Sequence, residues 1–246
     1  MEIGFWIIIV FLLLYEPILG YFHYQKFKKN VEVNENERIK YYTNTIIELW
    51  VPAAFILLLV GITDLTLKQI GLAIPKINTE VLGSWVTYIG LGLGLLYLIL
   101  VLYYIIGYKF SDKIKQELLK KKEEELEKSD VSPILPITKK EKKLWTYVSL
   151  TAGVTEEIIY RGFLIFGLGY LFPNLQIMIV VLISSVLFGL AHTYQGFTKG
   201  VFRTTIFGIL FSILYISLGS IIPLILFHFL LDYIVKFGEE KPKEQC

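Results

Sequence analysis

Two apolar stretches constrain this chain before anything else does: Ile3 to Phe22, broken only by Glu16, and Trp85 to Gly107, which carries no charge. At 1.5 Å per helical residue, each is long enough to cross a hydrocarbon layer of about 30 Å. In lipid every backbone polar group needs an internal partner, which a helix supplies from its own ladder. The expected fold class is therefore all-α, a polytopic transmembrane helical bundle. Composition agrees, with 54% hydrophobic and 19% charged residues in 246 and a mean hydropathy of +0.59. Soluble domains hold roughly 45–50% apolar and about 25% charged residues.

Charge and cysteine content narrow the function classes. Lys plus Arg is 24 and Asp plus Glu is 22, a formal charge of +2, so no general polyanion-binding surface is available and nucleic acid is excluded as an expected partner. The single cysteine, Cys246, rules out an internal disulfide, a four-cysteine zinc site and a buried cysteine nucleophile. No three residues follow it, so it is not expected to act as a prenylation box.

Ile3 to Phe22 has no basic residue before it and no Ala-x-Ala-like exit, and further long apolar segments follow, so it reads as a first span and not a cleaved signal. Thr43 to Gly61 is the second, with Pro52 tolerable where neighbouring helices satisfy the freed carbonyl. Trp85 to Gly107 is the third, with Gly90 and Gly94 spaced for close helix contact. Leu144 to Tyr170, Leu175 to His192, Val201 to Leu218 and Ile221 to Phe237 complete a count of about seven spans, or eight, set by apolar length. Basic connections alternate with poor ones. His23 to Tyr42 carries Lys26, Lys28, Lys29, Arg38 and Lys40, Ile62 to Ser84 only Lys68 and Lys76, and Tyr108 to Lys143 eleven lysines. Positive loops stay cytoplasmic, so the N-terminus is expected outside and the C-terminus inside a multi-pass cell membrane protein embedded in the lipid bilayer.

Between the third and fourth spans, Phe110 to Lys128 reads as a non-spanning helix, with Lys113 and Glu117, and Lys120 and Glu124, paired at i,i+4. Phe110, Ile114 and Leu118 are expected on the membrane surface. Pro133 and Pro136 end this segment, and Lys139 to Lys143 form a basic anchor before the next span.

Ionisable residues within apolar segments are costly and mark pairs, pathways or sites. Glu156, Glu157, Arg161, His192, Arg203, His228 and Asp232 all lie in or at the rims of the last four segments, and they include two of the three histidines. Glu157 and Arg161 are four residues apart and share a helical face, where pairing reduces their desolvation cost. Glu156, turned about 100° from Glu157 on an ideal helix, must find a water, a metal or a histidine from another helix. His228 and Asp232 lie one turn apart, so Asp232 can orient an imidazole, accept its proton or hold a substrate group. Each feature also has a structural reading, as interhelical braces and an interfacial histidine.

One carboxylate and two imidazoles on three helices supply what peptide hydrolysis in a membrane requires: a water made more basic and a hydrogen-bonding group for the oxyanion. Glu156 is the expected general base. Two schemes stay open. In one, Glu156, His192 and His228 hold a zinc ion and its water. In the other, Glu156 and His192 activate water without metal, while His228 and a protonated Asp232 face the tetrahedral intermediate.

The motifs Glu-Glu-x-x-x-Arg at Glu156, Glu157 and Arg161, Phe-x-x-x-His at Phe188 and His192, and His-x-x-x-Asp at His228 and Asp232 resemble the CPBP family. This is the CAAX protease and bacteriocin-processing, or Abi, group of intramembrane metalloproteases, related to prenyl-protein endopeptidases. The resemblance implies an intramembrane endopeptidase acting on a membrane-associated protein or peptide. Glu156 becomes the counterpart of the water-activating glutamate, His192 and His228 the paired functional histidines, and Asp232 the last polar position. Glu157, Arg161 and Phe188 are implied as structural support, and zinc as cofactor. Asp232 departs from the Asn often found in the prenyl-protease branch toward the wider prokaryotic branch, which weakens the carry-over of a prenylated CaaX substrate. The implied organisation is N-terminal transmembrane helices (1–107), a cytoplasmic Lys/Glu-rich linker with its amphipathic helix (108–143), a four-helix catalytic core (144–237) and a cytoplasmic tail (238–246). The rival expectations are a non-catalytic membrane scaffold or immunity protein of the same fold, and a proton-coupled transporter.

Overall fold

The computed structural model describes residues 2–34, 36–126 and 131–237, and every regular element among them is helical. The expected tail with Lys241, Lys243 and Cys246, and the expected end of the linker helix at Lys128, lie outside the described residues.

Helix α1 (Glu2–Leu14) passes through a π-helical turn, Tyr15–Gly20, into α2 (Tyr21–Val31), making one helix of 30 residues. Pro17 sits in the widened turn, where its missing N–H and bulky ring disfavour the ordinary ladder. The basic segment after Phe22 is thus largely helical. Lys28 and Lys29 fall in the last turn of α2, where cations suit the negative end of the helix dipole. Helices α3 (Asn36–Ile62), α4 (Gly83–Phe110) and α5 (Asp112–Leu126) follow.

A capping box opens α6 (Lys139–Glu156): the Thr138 side chain accepts from Glu141 N–H, and the Glu141 carboxylate accepts from Thr138 N–H. The helix continues through a π-helical stretch, Glu157–Leu164, into α7 (Ile165–Leu171). Then come α8 (Ile177–Leu190), a short turn at Thr193–Gln195, a π-helical segment at Phe197–Phe202, α9 (Arg203–Leu218) and α10 (Ile222–Tyr233).

Among the described residues, four helices are by length and composition long and apolar enough to cross a membrane: Glu2–Val31, Asn36–Ile62, Gly83–Phe110 and Phe197–Leu218. That is fewer than the count drawn from apolar runs. The difference is one of length and charge. Helix α8 has 14 residues and α10 has 12, roughly 21 and 18 Å, short of a hydrocarbon layer of about 30 Å. The helix from Lys139 to Leu171 is long, but it carries the basic first turn and the Glu156, Glu157 and Arg161 cluster.

The principal core joins Phe5, Ile8 and Leu12 of α1 to Ala53 and Ile56 of α3 and to Ile159, Phe163 and Leu164 of the π-helical stretch. Ile3, Ile7, Val51, Leu58, Leu93 and Leu96 face outward, an apolar girdle suited to lipid and costly in water. Helix α6 packs on α3 and α10, and α8 packs on α9. Gly153 permits the α6–α10 approach, since a Cβ there would lie 3.0 Å from Ile225 O and Phe229 N of the α10 backbone. Gly90 and Gly94 of α4 sit against Ile213 and Leu214 of α9.

The connection from α3 to α4 is not a loose loop. Ile70 is fully buried in the core, Ile221 N–H donates to Gly71 O at 2.9 Å, and Ser220 Oγ donates to Ala73 O at 2.6 Å. Lys76 and Asn78 N–H groups cap the carbonyls of Leu218 and Ser217 at 2.8 Å each. This segment seals the α9–α10 junction, whose turn is made by Gly219 at φ +59.

In the linker helix, Ile114 packs against Gly107 of α4, and Glu117 pairs with Lys121 and Tyr104.

Candidate active site

Each ionisable residue reaches the site from a different structural device. Glu156 is the last residue of α6, and Glu157 opens the π-helical stretch, so the two neighbouring carboxylates stand where the helix widens. A widened turn leaves backbone groups out of the regular ladder. Ser184 Oγ of α8 donates to Tyr160 O at 2.7 Å, which satisfies one carbonyl and ties α8 to this stretch. Trp145 Nε1 of α6 donates to Asp232 O at 2.9 Å, fixing the other end of the α6–α10 contact.

Glu157 is fully buried and shared. Its Oε1 accepts from Arg161 Nη1 at 3.0 Å and from His228 Nδ1 at 2.7 Å. Arg161, only 1% exposed, lies over the Phe188 ring at 4.1 Å and faces Phe211 at 5.3 Å. Such stacking suits guanidinium, which is more weakly hydrated than ammonium. A carboxylate only accepts, so His228 carries a proton at Nδ1 toward Glu157, which leaves Nε2 free to carry a second.

The other face of His228 meets two more carboxylates. Its Nε2 lies 3.7 Å from Glu156 Oε2 and 3.6 Å from Asp232 Oδ2. Neither distance is a direct hydrogen bond. Glu156 Oε2 is buried and has no hydrogen-bond partner, whereas the Asp232 side chain is 37% exposed and marks the open rim. An orphaned carboxylate oxygen beside an imidazole is a costly arrangement that a reactant proton would relieve.

His192 joins the group differently. It lies beyond the end of α8, with Nδ1 2.9 Å from Phe188 O. A carbonyl cannot donate, so Nδ1 bears a hydrogen, and a neutral ring then presents its lone pair at Nε2. His192 and His228 both stand edge-on to Phe188, at 5.0 and 6.1 Å between ring centroids. Glu156, Glu157 and Asp232 thus converge on His228, and His192 is linked to it through Phe188. Arg203, also singled out in the sequence, starts α9 after the Phe197–Phe202 segment.

The zinc set expected from Glu156, His192 and His228 receives no support from donor placement. Among the described residues, no group of three or more His, Cys, Asp or Glu side chains is arranged to hold a metal ion.

Three residues of this neighbourhood carry no sequence signal that separates them from ordinary apolar-segment positions. Phe211 completes the cover over Arg161, Trp145 anchors Asp232, and Tyr194 stacks on His192 at 6.0 Å. Glu16, in the π-helical turn of the first span, lies within electrostatic reach of Glu156. Its charge inside an apolar run was the one available hint.

No curated protein and no solved structure gives a significant match to the chain. A family model does, and it spans the whole constellation from the capping box of α6 to the end of α10. Over residues 141–234 the chain matches the Rce1-like family, described as type II CAAX prenyl endopeptidase Rce1-like, in keeping with the family that its three motifs resemble.

Proposed function

We propose that this protein is a multi-pass cell membrane endopeptidase that hydrolyses a peptide bond of a membrane-associated protein or peptide with water activated by Glu156. The observation that carries the reading is the buried Oε2 of Glu156, without a hydrogen-bond partner and 3.7 Å from His228 Nε2, while the neighbouring Glu157 is committed through its Oε1 to Arg161 and His228.

Glu156 takes a proton from water, and the resulting hydroxide adds to the scissile carbonyl. The developing oxyanion receives a hydrogen bond from His228 Nε2–H. Glu157, held in turn by Arg161, fixes the imidazole through Nδ1, so His228 presents its other nitrogen without reorganising. Collapse of the tetrahedral intermediate breaks the C–N bond, and Glu156 returns its proton to the leaving amine. His192 Nε2 is a second acceptor for the water. Asp232 acts here as a carboxylate that holds the protonated His228 at the open rim. Its Oδ2, 3.6 Å from Nε2, supports that role; the alternative expected from sequence is a protonated Asp232 that donates to the oxyanion.

No step passes through zinc, since the three expected donors form no metal-holding group in this arrangement. Substoichiometric zinc in purified protein, with cleavage that survives a chelator, is the expected result. Stoichiometric zinc with chelator-sensitive cleavage overturns the metal-free scheme.

Digestion of a peptide library by the purified full chain, read by mass spectrometry, tests the activity itself. Glu156→Gln is expected to lower cleavage at least about 100-fold, the usual range for losing a general base, while the protein folds and accumulates normally. Cleavage unchanged by this substitution removes Glu156 from the mechanism. Absence of cleavage together with loss of fold favours a bracing role in a non-catalytic scaffold.

A further inference from the structure

His192 lies outside regular helix, so α8 alone does not fix its ring. The turn after it is held by residues of the first two spans. Tyr194 lies face-on to His192, with centroids 6.0 Å apart and planes inclined by 27°. Tyr24 of α2 backs Tyr194 at 5.1 Å, and Tyr24 packs in turn on Phe27 and on Tyr41 of α3, at 5.9 and 6.2 Å. Phe27 and Tyr41 stack at 4.2 Å. The same turn is pinned twice more: Thr193 Oγ1 donates to Pro17 O at 3.0 Å, and Gln195 Nε2 donates to Tyr194 Oη at 2.9 Å.

We infer that Tyr194 is a positioning residue for His192, and that α2 and α3 act through it as part of the site and not only as membrane anchors. The acting part is the ring. Aromatic pairs at 4.5–7 Å add directional attraction to their area burial, and they confine the imidazole to one plane. Phe188 packs against the ring at a steep angle and Tyr194 on its face, so removing Tyr194 leaves only the Phe188 ring and one hydrogen bond to the Phe188 carbonyl to orient Nε2. The inference deepens the endopeptidase reading and rests on it only for its kinetic arm.

The test compares full-length Tyr194→Phe and Tyr194→Leu with the parent protein. Diethylpyrocarbonate modification of His192, mapped by mass spectrometry, reports the ring's confinement without any reference to activity. Modification is expected to rise at least threefold in the Leu variant and to stay within twofold in the Phe variant. Peptide cleavage in the Leu variant is expected to lose about tenfold in kcat with KM nearly unchanged, and to be retained by Phe, since a displaced catalytic group costs turnover more than binding. Equal His192 modification in all three proteins overturns the inference, whatever the cleavage result. A Phe variant as impaired as Leu also overturns it, because the hydroxyl would then be the acting group. The modification contrast without cleavage by the parent protein sustains the positioning role and sinks the endopeptidase reading. If Tyr194→Leu fails to fold, Tyr24→Leu, which removes the backing ring, is held to the same criteria.

Discussion

At the residue scale, Glu157 is the hinge of the site although it is not the expected base. One of its oxygens accepts from both Arg161 and His228, with almost no solvent access to the first pair. Removing one partner of a buried pair leaves a charge without compensation and costs about 3–5 kcal/mol. Arg161→Met is therefore expected to destabilise the protein by about 3 kcal/mol or more, measurable by chemical unfolding in detergent. Arg161→Lys is expected to recover only part of that loss, because a point-charge ammonium replaces a planar cation stacked between Phe188 and Phe211. An Arg161→Met variant as stable as the parent would show that Glu157 is neutral in the folded protein.

At the element scale, the α6–α10 contact and the docking of α5 on α4 carry separate predictions. Gly153→Val places side-chain atoms against the Ile225 and Phe229 backbone, which cannot yield as a flexible side chain would. It is expected to cost about 1–3 kcal/mol, and to lower cleavage by more than that loss of folded protein explains, because His228 rides on α10 while Glu156 and Glu157 belong to the facing helix. Cleavage that tracks folded protein one-for-one would count against this coupling. For α5, a hydrogen bond from Lys121, followed by one from Tyr104, holds the Glu117 carboxylate below its ordinary 4.5, and Glu117 in turn raises the Lys121 ammonium above 10.5. A depressed carboxylate contributes above its unfolded pKa and loses that contribution as pH falls through the folded one. A raised ammonium contributes below its unfolded pKa and loses it as pH rises. Docking of α5 is thus expected to hold between about pH 5 and 10 and to loosen below about pH 4, with a small amplitude because both groups are exposed. Hydrogen exchange along α5, corrected for intrinsic rates, checks this; Glu117→Gln should reproduce the acid behaviour at neutral pH.

At the scale of the whole molecule, topology gives the decisive measurement. With Cys246 replaced by Ser, single cysteines at Ile77, exposed in the α3–α4 connection, and at Lys121, exposed on α5, should be labelled by a membrane-impermeant reagent from opposite faces of the bilayer. Labelling of both from one face would overturn the orientation derived from the basic loops. The helical class, the apolar runs and the local pairings of Glu157 with Arg161 and of His228 with Asp232 were all legible in the chain, because helical periodicity relates residues three and four apart. Contacts across the bundle were not. His228 meets Glu157 across 71 residues, Phe188 serves both imidazoles and a guanidinium, and Ile70 enters the core from what reads as a plain connection. Hydropathy likewise does not reveal where α8 and α10 stop. Sequence alone determined that this chain forms membrane-suited helices carrying a costly set of ionisable groups, because backbone satisfaction and desolvation act locally. Only the tertiary structure decided which of those groups meet, because that depends on how closely particular backbones approach and where a helix widens or ends.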